Sequence, residues 1–256
     1  MTPFPSTILI TGASAGIGEA CARAFAAVGF RLVLAARRAD RLERLAGELR
    51  ESHGTGCHIL TLDVRDVGVV TRVLDDLPEE WAVDVVVNNA GMARGVEPLQ
   101  QGDPRDWDEM IDTNVKGLLY VTRALVPGMI ARGRGHVVNI GSVAGHDVYP
   151  GGAVYCATKH AVDAITRGLR MDLLGTGVRV STIDPGLVET DFSAVRFRGD
   201  IERAASVYRG YTPLAPADVA DAVVYVATRP AHVNVDEVIL KPTDQASVTM
   251  VNRKES

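Results

Sequence analysis

Tyr155 and Lys159 are four residues apart, a spacing that places both side chains on one face of a helix. A free tyrosine has a pKa of about 10, which is too high for a base at neutral pH. A lysine ammonium a few ångströms away favours the phenolate and lowers that pKa. The pair therefore has the chemistry of a proton donor and acceptor, to which Ser142 could add a hydroxyl.

The surroundings of this pair make it more specific, because Y-x-x-x-K alone is common and is usually a surface pair. Here it follows a predicted strand, residues 136–140, that carries Ser142 to the carboxyl end of a sheet. Ligands bind in the crevice at that end of open α/β sheets. We therefore predict an acid–base centre at the sheet edge.

A glycine-rich turn near the N-terminus has the residue types of a phosphate-binding site. Gly12 allows a tight turn, Gly16 lets the backbone approach a pyrophosphate, and Gly18 permits close packing of helix on sheet. The helix that begins here, with Ile17, offers free N–H groups and a positive dipole end. The spacing G-x-x-x-G-x-G is not the commoner G-x-G-x-x-G, and the alternative is a tight βα turn without a ligand.

Arg37 and Arg38 stand at the end of the second predicted strand, where a carboxylate would bind the ribose 2′-hydroxyl of NAD. A guanidinium there can hold a 2′-phosphate in a fork of hydrogen bonds. We therefore predict NADP(H) as cofactor, with Arg37 better placed because it is nearer the strand end, and with Ser14 adding a hydroxyl contact. The alternative is a solvated basic start to the next helix.

Short apolar runs alternate with longer helical patterns along the whole chain. Most of the runs are rich in β-branched residues, as strands buried on both faces should be. Predicted strands cover residues 8–10, 31–35, 58–62, 83–87, 136–140, 178–183 and 238–240, and predicted helices cover 16–28, 41–50, 67–77, 107–132, 155–174 and 218–228, the last capped by Asp218. This alternation predicts an α/β fold, a single Rossmann-type domain over residues 1–256 with a doubly wound parallel sheet of about seven strands and helices on both faces. Residues 186–212 lack a strand pattern and are predicted to form a substrate loop or lid.

Composition excludes several classes of function. The 256 residues carry a net charge of −5, which favours neither nucleic acid nor anionic membrane as a partner. Cys21, Cys57 and Cys156 lack metal-ligand spacing, so we predict reduced core cysteines and no metal. The first residues lack a basic segment and no stretch is long enough to span a bilayer, so we expect a cytoplasmic protein without a signal peptide.

The ordered set of motifs resembles the short-chain dehydrogenase/reductase family over nearly the whole chain. The matching motifs are residues 11–18, Asp63-Val64, Asn88-Asn89-Ala90-Gly91, Asn114, Ser142, Tyr155 with Lys159, and Pro185-Gly186. The resemblance implies an enzyme acting on CH–OH groups, in which Tyr155 transfers the proton and Ser142 binds the substrate oxygen. It implies that Lys159 binds the nicotinamide ribose and lowers the tyrosine pKa, and that Asn114 holds a water of a proton relay.

The same resemblance implies contacts to the cofactor. Asp63, with Val64 beside it, would contact the adenine, and the side of the adenosine ribose would be lined by Asn89, Ala90 and Gly91. The nicotinamide end would be contacted by Pro185, Gly186, Val188 and Thr190. Structural alternatives are that Asn88 and Asn114 satisfy buried backbone groups and that Asp63 caps the turn after its strand.

Residues 77–81, 192–197 and 230–234 resemble one branch of that family, the NADP-dependent 3-hydroxy acid dehydrogenases of the serine and allo-threonine type. That resemblance implies interconversion of a small β-hydroxy acid and its β-oxo acid or semialdehyde. The alternative is an NADPH-dependent reductase of another small aldehyde or ketone, such as sulfoacetaldehyde. A nucleotide sensor without chemistry is a third class, against which the intact Ser142, Tyr155 and Lys159 argue.

Three further expectations concern substrate and assembly. Arg196 or Arg198 could clamp an anionic substrate, the alternative for Arg196 being a solvated charge on a mobile lid. His146 could contact substrate at the pocket mouth or be a solvated loop residue, and His160 is interpreted as structural because it points away from the Tyr155/Lys159 face. Family resemblance implies that helices 107–132 and 155–174 pair in a homotetramer or homodimer.

Overall fold

Seven parallel strands form one sheet in the order β3-β2-β1-β4-β5-β6-β7 in the computed structural model, which describes residues 6–254. The strands are β1 (Thr7–Thr11), β2 (Arg31–Ala36), β3 (Cys57–Thr61), β4 (Val85–Asn88), β5 (Gly135–Ile140), β6 (Val178–Pro185) and β7 (Glu237–Leu240). The prediction of a doubly wound, Rossmann-type α/β sheet is confirmed. Residues 1–5, on which the expectation of no signal peptide partly rests, and residues 255–256 lie outside the described part.

Helices cover both faces of the sheet. They are α1 (Gly16–Ala27), α2 (Ala39–His53), α3 (Val67–Asp75), α4 (Pro104–Ile111), α5 (Leu118–Ala131), α6 (Ala153–Asp172), α7 (Phe192–Arg196), α8 (Ile201–Ser206) and α9 (Pro216–Ala227). Alternate residues of β1 belong to two different cores, since Ile8 and Ile10 pack in the layer with α1, α2 and α9 while Leu9 packs with α3 and α5. Burial on both faces explains why the strands are continuous apolar runs. No helix within residues 6–254 is both long and apolar enough to cross a membrane.

The predicted single helix 107–132 is wrong in two respects. The helical segment begins earlier, at Pro104, where Asp103 accepts a hydrogen bond from the N–H of Arg105 and proline suits the first helical position. It is then interrupted by a π-helical turn, Asp112–Gly117, before α5 begins. Such turns are frequent at functional sites, and this one contains Asn114.

Two other local predictions are corrected. Asp218 does not occupy the N-cap of the last helix, because α9 begins at Pro216 and the Asp218 carboxylate accepts from the N–H of Ala215 from inside the first turn. The predicted loop 186–212 contains the two short helices α7 and α8. Strands β1 and β4 are neighbours, but the chain continues from β1 to β2 on one side and from β4 to β5 on the other. A ligand is expected in the crevice outside the carboxyl ends of these two strands.

Candidate active site

A cavity of about 460 Å³ opens at the carboxyl ends of the central strands, between the glycine turn and the segment after β6. Its wall contains most of the residues that the sequence predicts for cofactor and catalysis: Gly12, Ser14, Gly16, Ile17, Arg37, Arg38, Asp63, Val64, Asn89, Ala90, Gly91, Ser142, Tyr155, Lys159, Pro185, Gly186, Val188, Thr190 and Arg196. Gly18 and Asn114 are buried and do not line the cavity. The fold therefore brings together segments from the whole length of the chain in one crevice.

The glycine turn is shaped by close backbone approaches. Gly12 and Gly16 have φ angles of +67° and +55°, a region that favours glycine. A Cβ on Gly18 would lie 2.4 Å from the carbonyl oxygen of Gly12, so only glycine lets α1 pack this closely. A Cβ on Gly16 would meet the side chain of Thr190 at 3.3 Å, so the segment after β6 rests directly on this turn. The Asn89 amide braces the turn by donating to the carbonyl of Thr11 at 2.9 Å.

Arg38, rather than Arg37, is fixed against the glycine turn. Its guanidinium donates two hydrogen bonds to the Ser14 hydroxyl, at 2.9 Å and 3.2 Å. The Arg37 side chain is 68% exposed and lies 3.9 Å from the Asp63 carboxylate. Both cations line the cavity, but the one that is held in place beside Ser14 is the arginine that the sequence argument ranked second.

Asp63 has the turn-capping role that the sequence offered as an alternative, and it also lies on the cavity wall, while its contact with adenine stays a prediction. Its carboxylate accepts from the backbone N–H of Arg65 at 3.0 Å and from the Arg65 guanidinium at 2.7 Å, so it does cap the turn after β3. Partial burial raises the pKa of this carboxyl, but the hydrogen bonds and charge of Arg65 outweigh that effect and hold it below its usual value. The ionised carboxylate also lies on the cavity wall.

Tyr155 and Lys159 lie on α6 and face Ser142 across the cavity, as the spacing predicts. Ser142 ends the stretch after β5, and its hydroxyl accepts from the N–H of Ala144 at 3.1 Å, which fixes its position. The buried Lys159 ammonium donates to the carbonyl of Ile140 at 2.9 Å, and its Nζ lies 6.0 Å from the centre of the Tyr155 ring. A hydroxyl, a phenol and an ammonium thus surround one point of the crevice.

The pKa values of this group differ from the expectation. Burial raises the pKa of the Tyr155 phenol above its usual value, and the opposing effects of Ser142 and Arg196 are smaller. Burial lowers the pKa of Lys159 to about 8, against the opposite influence of Asp184. The tyrosine is therefore set as a proton donor at neutral pH, and the lowered tyrosine pKa expected from the lysine is not found.

Asn114 lies in the π-helical turn with its side chain engaged by protein groups. Its Oδ1 accepts from the N–H of Met92, and its Nδ2 donates to the Met92 carbonyl and to the Thr158 hydroxyl, at 2.8, 2.8 and 3.0 Å. The structure thus gives the side chain the structural role that the sequence offered as an alternative. It ties the segment after β4 to the helix that carries Tyr155.

Arg196, at the end of α7, is held over the ring of Tyr155. Its Nε donates to the Gly95 carbonyl at 3.0 Å and its Nη2 to the Tyr149 hydroxyl at 2.5 Å. The guanidinium carbon lies 5.6 Å from the centre of the Tyr155 ring, and the Phe192 ring packs edge-on against the same ring at 5.7 Å. These contacts show that Arg196 is an ordered part of the cavity wall rather than a solvated charge.

Sequence reasoning missed Arg94 and Tyr149, which also line the cavity. Tyr149 precedes Pro150 and lies six residues before Tyr155, and this closeness to Tyr155 was the signal that could have placed it at the cavity. Arg94 comes three residues after the end of the Asn-Asn-Ala-Gly motif, but nothing in the sequence indicates which way its side chain points.

His146 does not contact the cavity, so its expected position at the pocket mouth is wrong. Its Nε2 lies 2.8 Å from the Asp184 carboxylate and 3.2 Å from that of Glu237, beyond the ends of β6 and β7. The hydrogen bond to the buried Asp184 carboxylate explains this orientation. His160 bonds to the Cys156 carbonyl through Nδ1 at 2.9 Å, which fits its structural interpretation.

The chain is similar in sequence and structure to known oxidoreductases. A family model described as short chain dehydrogenase matches residues 6–200. The NADP-dependent 3-hydroxy acid dehydrogenase YdfG of Salmonella typhi is 49% identical over 243 residues, covering 93% of this chain and 96% of that protein. Sulfoacetaldehyde reductase 2 of Chromohalobacter salexigens is 49% identical over 241 residues, covering 93% of this chain and 95% of that protein. Among solved structures, the closed form of serine dehydrogenase complexed with NADP+ has a TM-score of 0.91 at 45% identity, covering 97% of this chain and all of that one.

Proposed function

Because the chain belongs to the short-chain dehydrogenase family, we propose that it is an NADP-dependent oxidoreductase that interconverts a small 3-hydroxy acid and its 3-oxo acid or semialdehyde. The observation that carries this proposal is the position of Arg196, a fixed guanidinium over the catalytic tyrosine. A planar guanidinium binds a carboxylate bidentately, and it would hold the acid group while C3, two bonds from the carboxyl carbon, reacts.

The residues of the crevice fit a dinucleotide phosphate. The N-terminus of α1 offers N–H groups to a pyrophosphate, and Arg38 with Ser14 forms a cationic, hydrogen-bonding corner for a 2′-phosphate. When bound, NADPH supplies the hydride. Asp63 and Asn89 would line the adenosine side, and Lys159 would hold the nicotinamide ribose.

During reduction, Tyr155 donates its proton to the substrate oxygen and Ser142 donates a hydrogen bond to the same atom. Burial keeps the phenol protonated until that moment, because it disfavours the free phenolate. The Lys159 ammonium stabilises the tyrosinate that forms, since a nearby cation favours the charged phenol. In the oxidative direction Tyr155 accepts the proton of the hydroxyl group.

A second candidate is the reduction of a small sulfonated aldehyde, supported by the relative that is a sulfoacetaldehyde reductase. Its substrate and a 3-oxo acid share an anionic group close to a reactive carbonyl. Arg196 could hold either anion, so the candidates differ in the shape of the acid group rather than in mechanism. A turnover panel of 3-hydroxy acids, semialdehydes, sulfoacetaldehyde and neutral aldehydes with NADP(H) decides between them.

Arg196→Ala is expected to raise KM for carboxylate substrates by about 10- to 100-fold, the range for losing hydrogen bonds to a charged group. The KM of neutral aldehydes should change by about twofold at most, because they have no anionic group to lose. Steady-state kinetics on matched acid and neutral substrates measures the ratio. Arg203→Ala is a control, because Arg203 stacks on Phe197 outside the cavity. An unchanged ratio would mean that Arg196 does not bind the acid group and would favour a neutral carbonyl as the substrate.

The pH dependence of reduction should report Lys159. Since the pKa of Lys159 is lowered to about 8, the ammonium is charged below that pH and is lost above it. We expect kcat/KM for reduction to be level below pH 8 and to fall above it by about tenfold per pH unit. Tyr155 has a raised pKa and stays protonated over this range. A profile that stays level beyond pH 10 would contradict the assignment to Lys159.

Two further proposals concern assembly and location. We propose a homotetramer or homodimer, supported by exposed apolar residues on α5 and α6, namely Leu119, Ile130 and Met171. We propose the cytoplasm as the compartment, supported by cysteines that are free and largely buried.

A further inference from the structure

The end of the short helix α7 is joined to the segment after β4 by a reciprocal pair of hydrogen bonds. The N–H of Gly95 donates to the Arg196 carbonyl at 3.1 Å, and the Arg196 Nε donates back to the Gly95 carbonyl at 3.0 Å. These bonds fix both the backbone and the side chain of Arg196. The orientation of the guanidinium over Tyr155 therefore depends on where residues 94–95 are held.

Arg94 holds that segment against α7. Its Nη1 donates to the carbonyl of Val195 in the last turn of α7, which also accepts from the N–H of Arg198 at 3.3 Å. Its Nε donates to the Glu109 carboxylate on α4 at 2.8 Å. The Arg94 side chain is 18% exposed and the Glu109 side chain 36%, so the pair is partly buried. One guanidinium thus bridges the end of α7 to α4.

The face of α4 that is directed toward α7 and the residues after it is acidic. Asp106 and Glu109 are three residues apart and so share one face of the helix. Glu109 pairs with Arg94, and Asp106 pairs with Arg198, which follows α7. Two arginine–carboxylate pairs therefore fasten the segment around α7 to a helix of the main body.

We infer that Arg94 is a positioning residue that sets Arg196 for the acid group of the substrate, an inference that rests on the proposed function. The Arg94 guanidinium is paired with Glu109 at 2.8 Å, and this hydrogen bond lowers the pKa of the Glu109 carboxyl, so we assign the positive charge of Arg94 to Glu109 rather than to the substrate. It acts through the Val195 carbonyl and the Gly95 pair. Its loss should disorder the guanidinium of Arg196 without removing it.

Arg94→Ala tests this inference. We expect KM for a 3-hydroxy carboxylate to rise about tenfold, with kcat and the KM of a neutral aldehyde changing by about twofold or less. Hydrogen exchange of the amides in residues 192–198 should accelerate at least about tenfold. Glu109→Gln, which keeps the size of the side chain but removes its charge, should move both readouts in the same direction. Arg105→Ala is the matched control, because Arg105 pairs with Asp103 at the N-terminus of the same helix, is 88% exposed and does not line the cavity.

Combining Arg94→Ala with Arg196→Ala separates positioning from direct binding. If Arg94 acts through Arg196, adding Arg94→Ala to Arg196→Ala costs no further carboxylate affinity. Losses that multiply would mean that Arg94 binds the substrate itself and would overturn the inference. Failure of the proposed function shows differently, as an Arg196→Ala variant with unchanged preference for acids. In that case the exchange experiment still decides, and unchanged exchange of residues 192–198 in Arg94→Ala overturns the positioning role.

Discussion

Replacing Tyr155 with phenylalanine is expected to lower kcat for NADPH-dependent reduction by about 10²- to 10⁴-fold, the usual effect of removing a general acid. The phenyl ring keeps the edge-on contact with Phe192, so the packing of α7 on α6 should survive. Only the hydroxyl beside Ser142 is lost. Stopped-flow and steady-state measurements of NADPH oxidation provide the rate.

Two comparisons make the Tyr155 experiment specific. NADPH affinity of Tyr155→Phe, followed by the fluorescence of the bound cofactor, should stay within about threefold, because binding relies on the glycine turn, the arginine corner and Lys159. Tyr149→Phe removes the other cavity hydroxyl, which contacts Arg196, and should raise KM a few-fold with kcat nearly unchanged. Residual activity of Tyr155→Phe above about a tenth of wild type would contradict proton transfer by Tyr155.

The second large effect is expected at the arginine corner. Arg38→Ala should weaken NADPH binding by about 100-fold, since hydrogen bonds to charged groups contribute about 1.5–3 kcal/mol each. NADH binding should change by no more than about threefold, because NADH lacks the 2′-phosphate. Arg37→Ala should also weaken NADPH more than NADH, but by less than Arg38→Ala, since Arg37 is exposed and lies 3.9 Å from Asp63.

Direct titration of each variant with both cofactors measures these differences. Arg44→Ala, a change on the outer face of α2 beside Glu48, removes one positive charge away from the cavity and controls for general electrostatics. Equal losses for NADPH and NADH in both arginine variants would refute the 2′-phosphate contact. A larger effect at Arg37 would restore the order that the sequence argument favoured.

The strands and the glycine turn could be predicted because their signals are local. Runs such as residues 8–10 and 83–87 are apolar without alternation, which is typical of parallel strands buried on both faces. The four-residue spacing was enough to predict that Tyr155 and Lys159 share one helix face. The position of Ser142 after a predicted strand was enough to predict that it lies near them. NADP as cofactor followed from the missing carboxylate after β2 and is confirmed by the relatives.

The parts that could not be predicted depend on contacts distant in sequence. A helix as short as α7 is unstable by itself, and its C-terminal end is held by Arg94, about a hundred residues earlier in the chain. The π-helical turn at Asn114 is a local shift of one residue that hydrophobic periodicity does not reveal. The contact of Arg38 with Ser14 could not be predicted because adjacent residues after a strand point in different directions.

Burial was the other missing quantity. The spacing of Tyr155 and Lys159 shows that a cation is near a phenol, but the sign of the tyrosine pKa shift depends on how much water the surrounding side chains exclude. His146 shows the same limit, because its distance from Ser142 in sequence says nothing about the buried carboxylate of Asp184 that attracts it.

The contact between Gly16 and Thr190 has a kinetic consequence. The segment that carries Arg196 begins beside Thr190 and rests on the glycine turn, so it covers the place where a pyrophosphate would lie. A dinucleotide must therefore reach the glycine turn beneath this segment, and an acid already held by Arg196 would obstruct its path. This layering argues for compulsory-order kinetics in which the nucleotide binds first and leaves last.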